Sequence, residues 1–129
     1  MPPSRSPFEY AVVRVVPDIE REEFLNAGLI MFCRPRSFLA VRARLDEEAL
    51  GALRPGCDAD GIREQLDFIE GVATGAVATG PFAAMTLSER FHWLTTPRST
   101  VVQPGPLHAG TTEDPAGTFE HLYEVMVSR

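Results

Sequence analysis

Leu25-Asn26-Ala27-Gly28-Leu29-Ile30-Met31-Phe32-Cys33 is apolar almost throughout. A run of this length and composition reads as a central strand buried on both faces. Its neighbours follow from it. Upstream, Phe8 to Val16 is rich in Val and reads as a strand stopped by Pro17. Asp18 to Glu23 is a charged connector between the two. Downstream, Arg34-Pro35-Arg36-Ser37 reads as a hairpin loop leading into a third strand, Phe38 to Leu45. There Leu39, Val41, Ala43 and Leu45 alternate with Phe38, Ala40, Arg42 and Arg44, so one face belongs to the core and the other is partly wet.

The rest of the chain turns helical. Asp46 is placed to cap a short helix, Glu47 to Leu53, that Arg54-Pro55-Gly56 ends. A second helix starts near Asp58 to Gly61 and runs to about Val77, with Ile62, Leu66, Ile69, Val72, Ala73 and Ala76 at helical spacing. Gly71 and Gly75 weaken it by around 1 kcal/mol each relative to Ala, which points to close packing on that face. Thr79-Gly80-Pro81 breaks the chain, and Thr86-Leu87-Ser88-Glu89 has the capping-box pattern for a third helix that Pro97 ends. Arg98 to Gln103 reads as one more strand, and Pro104 to Glu113 as an irregular Gly/Pro/Thr-rich loop holding His108. Asp114 and Pro115 then open a last helix with the stripe Phe119, Leu122, Tyr123 and Met126. The order β-β-β-α-α-α-β-α predicts an α+β fold: a mostly antiparallel sheet of about four strands packed with about four helices. Residues 1–7 read as a loose tail and 8–128 as one domain.

The 129 residues, 44% hydrophobic and 23% charged, have the composition of an ordinary soluble globule. No apolar run approaches the roughly 20 residues of a transmembrane helix, and a cytoplasmic location is expected. Cys33 and Cys57 lack metal-ligand or disulfide-scaffold spacing and are read as free thiols. All twelve basic residues are arginine. Without lysine there is no P-loop, kinase ATP lysine, Schiff-base amine or Ser-Lys dyad. GxGxxG, GxSxG, HExxH and CxxC are absent as well, so no cofactor is implied. His92, His108 and His121 are scattered and make no zinc ligand set.

Two polar-marked segments carry the candidate sites. Glu23-Phe24-Leu25-Asn26-Ala27-Gly28 reads either as a bulge where the chain enters the central strand, or as a cleft mouth with Asn26 orienting a substrate beside Glu23 as acid or base. Arg98-Ser99-Thr100 reads either as an anion site, a guanidinium fork with two hydroxyls, or as a turn whose Arg98 pairs with an internal carboxylate such as Glu23. His108 is a candidate proton carrier. Net charge is −6: residues 1–45 carry seven Arg against five acids, 46–129 five against thirteen. An acidic chain disfavours nucleic acid, although Arg34, Arg36, Arg42 and Arg44 share one hairpin. That cluster reads as a charged sheet edge or as a surface for phosphate or an acidic partner.

Tyr10 to Asp18, Glu23 to Gly28, Glu89-Arg90-Phe91 with Trp93-Leu94, Pro97 to Thr100 with Gln103-Pro104, and His108 to Gly110 together resemble a bacterial family of small stand-alone proteins. It is domain-of-unknown-function family three-thousand-and-thirty-seven, and the likeness spans about residues 8 to 128. The resemblance implies no established activity. It implies a genomic neighbourhood beside HipA-like kinases, and hence a kinase partner or regulator.

Three readings of function stand at this point. The first is a protein-interaction module, which requires an exposed apolar patch or sheet edge. The second is a phosphate-ester or nucleotide enzyme, which requires Glu23, Asn26, Arg98 and His108 to converge on a pocket. The third is a nucleic-acid accessory protein, which requires a continuous basic face on the hairpin.

Overall fold

In a computed structural model describing residues 4–77 and 79–128, the central run becomes β2, Glu23–Cys33. It lies between β1, Ser6–Asp18, and β3, Phe38–Ala43, all antiparallel. β1 is long enough for its other edge to take two short strands, β4 (Val102–Pro104) beside Val13 to Val15 and β5 (His108–Thr112) beside Ser6 to Tyr10. The sheet order is therefore β3-β2-β1-β4, with β5 further along the same edge as β4.

Both faces of β2 are covered, as its composition demands. On one face Val13, Val15, Ile30 and Phe32 pack against α1 (Glu47–Leu53), α2 (Ala59–Thr74) and α3 (Leu87–Thr95) through Leu50, Ile62, Leu66, Val72, Phe91 and Leu94. On the other, Phe8, Leu29, Met31 and Cys33 pack against Phe119 of α4 (Pro115–Tyr123), with Leu122, Tyr123 and Met126 alongside. A π-helical turn, Glu124–Ser128, continues α4. The molecule is thus α+β in three layers, and each helix opens on the cap its sequence announces. Asp46, Asp58, Thr86 and Asp114 each accept from a backbone N–H in the first turn, and Thr86 with Glu89 completes a capping box.

Several expectations need correction. Pro17 does not stop β1, because the β1–β2 register shifts between Val15 and Asp18, leaving Pro17 where no ladder bond is required of it. Part of the supposed loose tail is tied down: Ser6 and Pro7 pair with Thr112 and Thr111. Arg5 donates to the Thr111 hydroxyl at 2.9 Å and carbonyl at 2.6 Å. Residues 1–3 of that tail lie outside the described residues. The second helix ends at Thr74, with Gly75 left-handed (φ 84°) as its C-cap. The chain then folds back, and Val77 N–H bonds the Gly71 carbonyl. A Cβ at Gly71 would stand 2.9 Å from Val77 Cγ2, so the close packing expected of this glycine is against its own chain. The strand read as Arg98 to Gln103 shrinks to β4, and the loop read as Pro104 to Glu113 contains β5.

Asn26-Ala27-Gly28 forms a β-bulge. Val13 pairs with Gly28 and Arg14 with Asn26, leaving Ala27 as the extra residue, and the Ala27 carbonyl accepts from Arg44 N–H at 2.7 Å. The far face of β3 is partly wet, as expected: Arg44 is exposed and Arg42 is half-exposed. Arg42 spans it, forked onto Glu120 (Nη1 to Oε2, 2.8 Å) and lying over the Tyr123 ring at 4.8 Å.

Candidate functional site

A cavity of about 500 Å3 opens where α2 and α3 meet the segment before β4. Its floor is apolar, from Phe68, Ile69, Trp93 and Val102, and its rim is polar, with Glu64 and Gln65 on α2 facing Arg98 and Thr100. The volume falls within the range of small-ligand sites, roughly 300–1,000 Å3. Two of its lining residues, Phe68 and Trp93, belong to an aromatic trio packed edge to face with Phe82: Phe68–Phe82 at 5.6 Å, Phe68–Trp93 at 5.9 Å and Phe82–Trp93 at 5.0 Å between centroids. Such geometry sets the positive edge of one ring on the negative face of the next. Phe68 stays 41% exposed. It sits off the α2 stripe of Ile62, Leu66, Ile69, Val72 and Ala73 that faces the sheet.

Arg98 is held on this wall by neutral groups. Its guanidinium lies 4.6 Å above the Trp93 ring. Nη2 donates to the Trp93 carbonyl at 2.5 Å and Nε to the Thr96 carbonyl at 3.3 Å. These carbonyls close the C-terminus of α3, where a cation is favoured by the helix dipole. The Thr96 hydroxyl serves the neighbouring His92 carbonyl at 2.7 Å. Thr100 shares the cavity with Arg98, and its hydroxyl donates to the Val102 carbonyl at 2.6 Å. Gln103 Nε2 in turn ties the Thr100 carbonyl at 2.7 Å. Among the described residues Arg98 enters no ion pair, so the pairing of Arg98 with Glu23 does not form.

The other candidate residues stand elsewhere. Glu23 pairs with Arg21 at the β1–β2 turn. Asn26 faces the α4 side, opposite Arg14, and its Nδ2 donates to the Met126 carbonyl at 3.1 Å. His108 is a strand residue: it pairs with Tyr10 in β5 and its ring lies 5.2 Å from the Tyr10 ring. Tyr10 and Arg14 are four residues apart on β1, roughly 13 Å at strand rise, so Asn26 and His108 do not meet. Arg98 looks onto the opposite face. Ser99 is exposed beside the cavity. Of the four sites sought in one pocket, only Arg98 lines the cavity.

The arginine hairpin is largely spent on structure. Arg34 Nη2 donates to the Ser88 hydroxyl at 2.9 Å. Arg36 binds the Ser6 hydroxyl at 3.0 Å and the Ser4 carbonyl at 2.9 Å. Arg42 pairs with Glu120, and Arg44 is exposed. Cys33 and Cys57 are free thiols, the first buried. No group of three His, Cys, Asp or Glu able to hold a metal ion occurs among the described residues, and none of the described helices is long and apolar enough to cross a membrane.

Sequence reasoning missed Glu64, Gln65, Phe68 and Trp93 as cavity residues. The signal available was Phe68, an aromatic out of step with the apolar period of its helix. Arg14 was also missed: its guanidinium lies over the Phe24 ring at 4.1 Å, and its Nε is buried without a hydrogen-bond partner.

A family model described as a protein of unknown function, DUF3037, matches residues 10–127. Comparisons with curated proteins and with solved structures found no match.

Proposed function

We propose that this chain, which belongs to the DUF3037 family, is a small cytoplasmic interaction module that docks a partner in the cavity between α2, α3 and Arg98. The observation that carries this reading is the half-exposed Phe68 in the rigid aromatic wall of a cavity of about 500 Å3. Large apolar groups left open in a polar rim are the usual mark of a binding surface, and aromatic side chains with arginine make the common anchors of interfaces. The partner implied by the family resemblance is a HipA-like kinase. An enzyme reading through Glu23, Asn26 and His108 draws no support from their separate positions, because acid-base chemistry needs mutual reach.

The test is co-expression with a HipA-like kinase, followed by size-exclusion chromatography. A complex with the wild-type protein that is lost in Phe68→Asp, with the variant's circular dichroism unchanged, is the expected result. No complex, or a complex indifferent to Phe68, overturns the proposal.

A further inference from the structure

We propose that the cavity selects an apolar, preferably aromatic, side chain carrying or adjoining a carboxylate, with the carboxylate held by Arg98 and the apolar body between Phe68 and Trp93. The inference rests on the docking reading and names its chemistry. Among the described residues Arg98 is the one cation on the cavity wall. Stacking on Trp93 and two backbone carbonyls fix its plane while leaving its charge unneutralised. Neither of those bonds uses Nη1, whose protons remain for an incoming acceptor. A guanidinium held this way meets an anion at little further cost in side-chain entropy.

The rest of the wall sets orientation. Glu64 and Gln65 line the α2 side, so a carboxylate placed there meets a like charge, and the anion is directed to the α3 end. The Thr100 hydroxyl, its proton already given to the Val102 carbonyl, adds no donor for the anion. The apolar part of the described lining is Phe68, Ile69, Trp93 and Val102. The complement is amphipathic, with one anionic end and an apolar body.

Trp93 is the single tryptophan of the chain, so its fluorescence reads the cavity directly. The probes are 3-phenylpropionate, its neutral amide 3-phenylpropionamide, and inorganic phosphate. The carboxylate is expected to bind about tenfold or more tightly than the amide, the scale of one charge-assisted hydrogen bond, and to weaken with added salt. Arg98→Gln should erase that preference and leave amide binding in place, while Phe68→Ala should weaken both probes alike. Equal affinity for carboxylate and amide in the unmodified protein overturns the proposal whether or not the Arg98 variant folds. So does phosphate binding as well as phenylpropionate, or no response to any probe. If the kinase complex is lost in Phe68→Asp yet intact in Arg98→Gln, docking stands and the carboxylate chemistry falls.

Discussion

A methyl group at Gly28 would stand 2.8 Å from the Arg42 carbonyl oxygen, 3.2 Å from Val13 Cβ and 3.3 Å from the Ala43 Cα. Two of these are backbone atoms of the neighbouring strand, which cannot rotate away, so the bulge closes only around glycine. Gly28→Ala is expected to lose about 1–3 kcal/mol, the scale of overpacking a core, measured by urea unfolding. Glu70 makes a second prediction. Its carboxylate accepts from Ala43 N–H at 3.3 Å, yet burial, chiefly, with Asp67 nearby, raises its pKa above the usual carboxylate value. The folded state then binds the proton more tightly than the unfolded one. Stability from this group is present below the ordinary carboxylate range and is lost as pH rises through the folded value. Glu70→Gln should therefore melt higher than wild type at pH 7, with the difference vanishing as pH falls below 4.5; a gain that persists in acid would contradict it.

Helix α3 carries both Trp93 and the carbonyls that hold Arg98, so its ends govern the cavity. Thr86 accepts from Glu89 N–H at 3.1 Å, and Glu89 Oε1 accepts from Thr86 N–H at 3.0 Å. Thr86→Ala is expected to destabilise the protein by about 1 kcal/mol, as for other lost N-caps. The bond from Thr86 N–H holds the exposed Glu89 carboxyl below its ordinary pKa, a contribution present above the unfolded value and lost as pH falls through the folded one. Denaturant melts across pH should show a Glu89→Gln deficit that shrinks in acid. Caps, the β2 run and the bulge were legible in sequence because each is a local pattern with a local cause. β5 was not, since His108-Ala109-Gly110-Thr111-Thr112 has neither alternation nor β-branched apolar residues facing a core. It becomes a strand because β1 offers an unpaired edge from Ser6 to Tyr10, and main-chain pairing there does not depend on side-chain type. The opposite error at Arg98 to Val101 has the same origin: Arg98 is tied to the end of α3, and the chain reaches β1 only at the Val101 carbonyl, which accepts from Val16 N–H, before the ladder proper starts at Val102.

Two apolar clusters that share no side chain lie on opposite faces of one sheet, which predicts independence. Ile62→Val on the α2 side and Phe119→Leu on the α4 side should add in a double variant to within about 0.5 kcal/mol; a larger coupling would show that the sheet transmits strain between them. The same separation explains why the site was only half readable. Arg98 and Thr100 announced themselves as polar residues beside a predicted strand, and both line the cavity. Their partners come from α2 and α3, and only the packing of those helices brings Glu64, Phe68 and Trp93 to one wall. Asn26 stood out equally in sequence, yet a two-faced sheet sends it to the other side. β1 has a further consequence, in time. Its second edge is filled by strands that begin at Val102 and His108, close to ninety residues after β1 ends at Asp18. At a synthesis rate of roughly 5–20 residues per second, that edge stays open for roughly 5–20 s on the ribosome, in the interval when a passing strand from another nascent chain can claim it.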